Sequence, residues 1–359
     1  MAEHDMTYYI HLQGKSMMDT LEKTELVKPF ADLWTESKPD RLVLVGSGSS
    51  ANAAKAAAAY MEKLLGVDVT AISPTALPSE LRGNPLLVYV SQSGNSTNTV
   101  AAIERTAKYP GIALVGDKDC QMNKVIDKHV LLACEHEEAG PKTMGYTCTI
   151  LSLYVMAIEA AKASGAITED AAKAEMDKLT AMAKAMDENV AVTEKWYAEA
   201  EKILMEKQGF LFVAKDQGQF VCQESALKVQ ETTLRMAMGF EFEEFLHGPI
   251  AMFKAAPAGF YFLPEEGDGD LMRAETLAEI HAQYSDAVWT IKVGEKAALE
   301  GSMLTLAAPK GPEYDPFWAI LPAQVIGANL PSKVGAEGQL KIIFHAVDDK
   351  LKMKYEGAF

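Results

Sequence analysis

Cysteine is scarce in this chain, with four among 359 residues, at 120, 134, 148 and 222, and none in a CxxC pair. That spacing excludes a disulfide framework and offers no zinc pattern. No run of about 18 consecutive apolar residues occurs. The nearest stretch, Gly145 to Ala160, is interrupted by Thr147, Thr149, Ser152 and Glu159 and reads as a buried helix. The opening Met-Ala-Glu-His-Asp has no basic n-region and no apolar h-region. The expectation is therefore a cytoplasmic protein without a secretory signal or a membrane partner. Positive charge is also short: 34 Lys and Arg stand against 50 Asp and Glu, a net charge of −16. Such a chain repels a phosphate backbone at long range, so no nucleic-acid partner is expected. An anionic ligand would need a local site that works against the global field.

What is present is an α/β pattern that occurs twice. In the first block Arg41-Leu-Val-Leu-Val45 is a short branched run followed by Gly46-Ser47-Gly48-Ser49-Ser50 and an Ala-rich helical stretch to Leu65. Val69–Ile72, Leu86–Val90, Gly111–Val115 and Val130–Ala133 are further strand candidates, separated by polar or helical segments. Strands alternating with helices at this spacing predict a doubly wound parallel sheet. Residues 166–207 carry no strand signal and read as one or two long linking helices. The second block begins at Gly209-Phe-Leu-Phe-Val213, continues with a helix from about Gln219 to Arg235, and adds strand candidates at Gly259–Leu263, Val288–Val293 and Leu304–Ala307. A helix-rich stretch, 316–330, precedes a polar tail with an apolar run at 340–344.

Two turns carry hydroxyls where strands hand over to helices. In the first, Gly46-Ser47-Gly48-Ser49-Ser50, glycines let a ligand approach the backbone while serines and the helix N-terminus supply donors. By itself it reads equally well as a tight, serine-capped turn. The second, Ser91-Gln92-Ser93-Gly94-Asn95-Ser96-Thr97, changes the balance. Consecutive strand ends in a doubly wound sheet face one crevice, so the two turns are predicted to converge on one phosphate. Charge-assisted hydrogen bonds contribute roughly 1.5–3 kcal/mol each. Four or five would hold a monophosphate without an arginine or lysine. GxxxxGK[ST] is absent, and position 51 is Ala rather than a continuation of GxGxxG. A small phosphorylated metabolite therefore suits the turns better than ATP or NAD.

In the second block Lys228 and Glu231 lie three apart on one helical face. The commoner meaning of such a pair is a solvated ion pair. His247-Gly248-Pro249 marks a chain reversal, where a histidine is more often structural. Yet a carboxylate and a nearby histidine also suit proton transfer between neighbouring carbons and at a ring oxygen. Glu135-His136-Glu137-Glu138 with His129 lacks metal-ligand spacing and reads as a solvated loop. Trp196, Tyr197, Tyr8, Tyr9, Trp318 and the 18 methionines are assigned to packing.

Taken together, Gly48-Ser-Ser50, Ser91-Gln-Ser-Gly94, Ala226-Leu-Lys228-x-x-Glu231, and His247-Gly-Pro249 sixteen residues beyond Glu231 resemble the sugar isomerase (SIS) domain family. The resemblance is to the isomerase half of glucosamine-6-phosphate synthase and to phosphosugar deglycases. It implies an α/β protein of two SIS domains, each a doubly wound flavodoxin-like parallel sheet flanked by helices. The expected division is an extension at 1–24, a phosphate-binding domain at 25–165, linking helices at 166–207, a second domain at 208–345, and a tail at 346–359. Ser49, Ser50, Ser91, Gln92, Ser93 and Ser96 fall on the family's phosphate-binding positions. Glu231 falls on its proton-shuttling carboxylate, Lys228 on the lysine one turn earlier, and Glu138 on a sugar-contacting glutamate. His247 falls on the ring-opening histidine, which in the family reaches the partner subunit's site. A homodimer and a small phosphorylated sugar or sugar-amine substrate are implied, with no metal or organic cofactor.

The sequence departs from the synthase at both ends. Residue 2 is Ala, and the first cysteine is Cys120, so the nucleophile of a glutaminase domain is not expected. The tail does not match the synthase segment whose lysine closes over the sugar, which leaves Lys350, Lys352 and Lys354 as candidates for that role. The expected activity is a deglycase splitting a fructosamine 6-phosphate into hexose 6-phosphate and an amine. The alternatives are an aldose–ketose isomerase, a glucosamine-6-phosphate deaminase, and a non-catalytic phosphosugar-binding regulator. The last is disfavoured because the residues before the first strand are not basic and both Glu231 and His247 are present.

Overall fold

The computed structural model describes residues 4–134 and 136–355. The chain packs as two compact units. One contains Lys15–Glu138, Met144–Thr180 and the chain from Ile343 onward; the other contains the chain up to Gly14, Ala139–Thr143 and Ala181–Ile342.

In the first unit five strands, β1 (Arg41–Gly46), β2 (Asp68–Ile72), β3 (Pro85–Ser91), β4 (Gly111–Val115) and β5 (His129–Leu131), form a sheet in the order β2-β1-β3-β4-β5. Every pairing is parallel. Parallel strands are covered on both faces, so β3 and β4 read as continuous apolar runs and are buried almost throughout. Val45, Tyr89, Val100, Ile103 and Val115 belong to one packed cluster. The helix Met144–Ser164 is long and apolar enough to cross a membrane by length and composition, but 94% of its apolar window is buried inside the protein. It packs on the helices Ser49–Leu65 and Lys28–Ser37, with Tyr60 and Tyr154 stacked at 3.8 Å between centroids.

In the second unit β6 (Gly209–Ala214), β7 (Met236–Glu241), β8 (Ala258–Phe262), β9 (Val288–Gly294), β10 (Ala298–Glu300) and β11 (Met303–Ala307) are ordered β10-β11-β9-β8-β6-β7. Without β10, which pairs antiparallel at the edge, the order repeats that of the first sheet. Both therefore have the flavodoxin-like arrangement, and the second sheet is mixed rather than purely parallel. Trp196, Phe212, Phe260 and Trp289 form an aromatic stack in its core.

Several details were not anticipated. β7 lies where no strand was expected. Gly239 allows it to press against the helix Gly218–Thr233, since a Cβ there would collide with the Cys222 backbone. The linking region, expected as one or two long helices, is a single 38-residue helix, Glu169–Glu206. The polar tail contains a helix, Gln339–Leu351, with no buried residue.

Candidate functional site

The two hydroxyl-rich turns belong to neighbouring strands. β1 pairs directly with β3, Gly46 opposite Val90, so the turns leave the sheet side by side. Asn98 Nδ2 donates to Ser47 Oγ at 2.9 Å and ties one turn to the other. Gly48, at φ +56°, swings the chain into the helix Ser49–Leu65. Ser49 and Ser50 thus occupy its first turn, where N–H groups carry partial positive charge. The second turn leads into the helix Thr97–Arg105 with Ser96 as its N-cap residue. Gly94 has φ +61°, and a Cβ there would collide with Cys120 Sγ. The turn is braced from behind by Met122 N to Gly94 O at 2.9 Å and Gln121 N to Asn95 Oδ1 at 3.0 Å.

Within it, Ser91 is buried and its hydroxyl lies 3.5 Å from that of Ser96. Gln92 packs its amide over Gly145, where a Cβ would collide with it. Its Oε1 is buried without a hydrogen-bond partner among the described residues. The expectation that these turns operate without a cation needs correction. Lys354 Nζ donates to Ser93 Oγ and Ser96 Oγ, both at 3.1 Å. Of the three tail lysines, Lys354 makes this contact, whereas Lys350 and Lys352 are exposed.

Glu138 is exposed, while its neighbour Glu137 is buried and accepts from Gly145 N at 2.8 Å. Glu137 thereby caps the helix Met144–Ser164, which corrects the reading of this segment as a solvated loop. Glu135 lies outside the described residues.

In the second unit the helix Gly218–Thr233 follows β6, as Ser49–Leu65 follows β1. Lys228 and Glu231 are bonded on one face, but not as a solvated pair: the Lys228 side chain is 1% exposed and Glu231 19% exposed. Sequence reasoning missed the third member. Glu224, one turn before Lys228 and 0% exposed, accepts from Nζ at 3.2 Å. Its spacing of four residues was the available signal. Burial pulls the Lys228 ammonium toward neutrality, yet the charges of Glu231 and Glu224 outweigh it and raise its pKa above the usual lysine range. The lysine is thus a fixed cation that pins two carboxylates, of which Glu231 alone reaches partial exposure.

His247 is exposed at the end of the short helix Phe242–Leu246. Its Nδ1 lies 2.8 Å from the Glu243 carbonyl. A carbonyl only accepts, so Nδ1 carries a proton and Nε2 is the nitrogen left to face a ligand. The serine turns belong to one compact unit, and the carboxylate–lysine triad and His247 to the other. The first arrangement suits an anion, and the second supplies a positioned carboxylate and an imidazole for proton transfer.

No protein-family model matches the chain. It is 26% identical over 320 residues to the glutamine–fructose-6-phosphate aminotransferase (isomerizing) of Tropheryma whipplei strain Twist, covering 82% of this chain and 49% of that protein. The chain therefore spans about half the length of the curated relatives it matches. Among solved structures it resembles the C-terminal domain of glucosamine-fructose-6-phosphate aminotransferase from Francisella tularensis, with TM-score 0.76, 18% identity, and coverage of 93% of this chain and 97% of that one. It also resembles the glucosamine-6-phosphate deaminase of Thermotoga maritima, with TM-score 0.68, 22% identity, and coverage of 89% and 94%. The chain thus has the fold of two sugar isomerase (SIS) domains, and its sequence is similar to about half the length of these aminotransferases.

Proposed function

We propose that the protein is a phosphosugar isomerase or deglycase acting on a 6-phosphorylated sugar-amine of the fructosamine 6-phosphate type. The serine turns hold the phosphate. His247 moves the proton that opens the sugar ring, using Nε2. Glu231 takes a proton from C1 of the open-chain ketosamine and returns it to C2 through an enolamine. This converts the C1 amine into an imine. Water adds at C1, the carbon–nitrogen bond breaks, and hexose 6-phosphate and free amine leave. Positioned acid–base groups of this kind contribute roughly 10²–10⁴-fold, and a fixed phosphate restrains the reacting carbons. Lys228 holds Glu231 in place.

The observation that carries this reading is the pair of adjoining serine turns, joined by the Asn98–Ser47 bond, in a chain that also buries Lys228 between Glu224 and Glu231. Similarity to the aminotransferase and deaminase supports a phosphorylated amino sugar as the substrate class. An aldose–ketose isomerase would use the same proton shuttle and differ in releasing no amine. A homodimer in the cytoplasm completes the proposal, with His247 serving the partner's site as the resemblance implies. The test is a panel of 6-phosphorylated fructosamines, glucosamine 6-phosphate and hexose 6-phosphates, assayed for amine or ammonia release and for ketose–aldose exchange. Amine release from a fructosamine 6-phosphate supports the deglycase. Turnover of none contradicts the proposal.

A further inference from the structure

The ammonium in the serine turn comes from 258 residues further along the chain. Its delivery is a built feature. The helix Gln339–Leu351 ends at Lys352, whose φ of +52° lies in the left-handed region and reverses the backbone. Residues 352–355 then cross the second serine turn as an antiparallel strap, with Ser96 bridged to Lys354. The strap is fastened on both sides of Lys354. Thr97 N donates to Met353 O at 3.2 Å, and Tyr355 N donates to Asn95 O at 3.1 Å. Thr97 Oγ1 lies 2.9 Å from Lys352 O and 3.0 Å from Met353 O. Lys354 N itself donates to Asp348 Oδ1 at 2.9 Å. The Lys354 backbone is therefore fixed before any ligand arrives, which lowers the ordering cost of using its side chain.

We propose that Lys354 is a ligand of the substrate phosphate, and that the strap gives the site its preference for a dianionic phosphate ester over a monoanion of the same shape. This rests on the reading that the serine turns bind phosphate, and it adds the residue that sets the charge they accept. When the dianion enters, its oxygens replace the serine oxygens as acceptors for the ammonium. The hydroxyls of Ser93 and Ser96, released from accepting, turn their protons to the ligand. A compact ammonium suits this role as a point charge. It answers the problem set by a net charge of −16, since a local cation attracts a ligand that the chain as a whole repels. The role concerns the phosphate end of the substrate and assigns Lys354 no part in the proton transfer.

Titration calorimetry on the full chain tests this with hexose 6-phosphate, the matching hexose 6-sulfate and inorganic phosphate. The wild type is expected to prefer the phosphate ester to the sulfate ester. Lys354→Gln is expected to weaken phosphate-ester binding about 10- to 100-fold, as loss of a charge-assisted contact does, and to erase most of that preference. Lys354→Arg is expected to restore part of both. Thr97→Val, which removes two fastenings but keeps the charge, is expected to cause a smaller loss. Unchanged phosphate-ester affinity and unchanged ester preference in Lys354→Gln would overturn the inference while leaving the serine turns as the phosphate site. Failure of the wild type to bind either phosphate would instead overturn the phosphate reading of the turns, and this inference with it.

Discussion

The two sheets share one strand order, yet the crevices at their strand ends have opposite chemistry. In the first unit the turns after β1 and β3 are built from glycine, serine and asparagine, and a lysine enters from a distant strap. In the second, the segment after β6 is Lys215-Asp216-Gln217-Gly218, and the loop after β8 is rich in acids. There Lys215 Nζ lies 3.0 Å from Asp268 and 2.9 Å from Asp270. Arg273 bonds Asp270 at 2.7 Å and Glu243 at 2.6 Å. Bonds from Asp270 and then Asp268 raise the Lys215 pKa, and those from Lys215 and Arg273 lower that of Asp270. The cations of the second crevice are thus matched by the chain's own carboxylates, while hydroxyls line the first. The helix that follows the first strand also differs. Ser49–Leu65 is Ala-rich and opens with serines, whereas Gly218–Thr233 buries Glu224 and Lys228 and leaves Glu231 half-buried beside them. One frame therefore carries hydroxyl-rich turns in one copy and a carboxylate–lysine cluster in the other, and short segments at the strand ends and the helix that follows make the difference.

The largest expected effect lies in the second copy. Glu231→Gln is expected to lower turnover by about 10²–10⁴-fold while hexose 6-phosphate binds as before. Steady-state kinetics with calorimetry checks both, and full activity would remove Glu231 from the mechanism. Next, Lys228→Met leaves the Glu224 carboxylate buried without its partner, which should destabilise the second unit by about 3–5 kcal/mol. Denaturant unfolding gives the magnitude, and hydrogen exchange should show lost protection in β6 and β8 with β1 and β3 retained. Uniform loss in both sheets would contradict a stabilising role confined to the second unit.

Acid should also distinguish the copies. Burial, followed by the nearby Lys207 charge, depresses the pKa of His281 to about 4. The unfolded chain takes up that proton near 6.5. The stabilising contribution is therefore complete above about pH 6.5 and is lost as pH falls toward 4, by about 3 kcal/mol in all. In His281→Gln the stability of the second unit between pH 7 and 4 should fall less steeply, as urea titrations at several pH values would show. The smallest effect is expected in the second serine turn. Ser93→Ala should weaken hexose 6-phosphate binding about tenfold with kcat little changed, whereas Lys215→Met in the second crevice should leave that affinity unaltered.

What the sequence revealed followed from how local each feature is. β1, β3, β4, β6 and β8 are buried runs of branched and aromatic residues, bounded by glycine, proline or serine, and their pattern needs no distant partner. The serine turns were legible for the same reason. β7, at the sheet edge with four of its six residues half-buried, carries no such run. β10 spans three residues and pairs at an edge. The helix Gln339–Leu351 buries none of its side chains, so it has no apolar face set by a core. Glu224 drew no reading from the sequence, because its burial against Lys228 depends on how the helix packs. The contact of Lys354 with Ser93 was hidden because the strap is positioned by bonds to residues 255 or more positions away, largely through the backbone.

The proposed function requires that the first copy's serine turns, and not the second copy's charged crevice, receive the phosphate. A crystal structure of the protein with hexose 6-phosphate bound tests it most directly. Phosphate oxygens are expected within hydrogen-bond reach of Ser93, Ser96 and the N-terminus of the helix Ser49–Leu65. A phosphate seated on Lys215 and Arg273, with the serine turns empty, would contradict it.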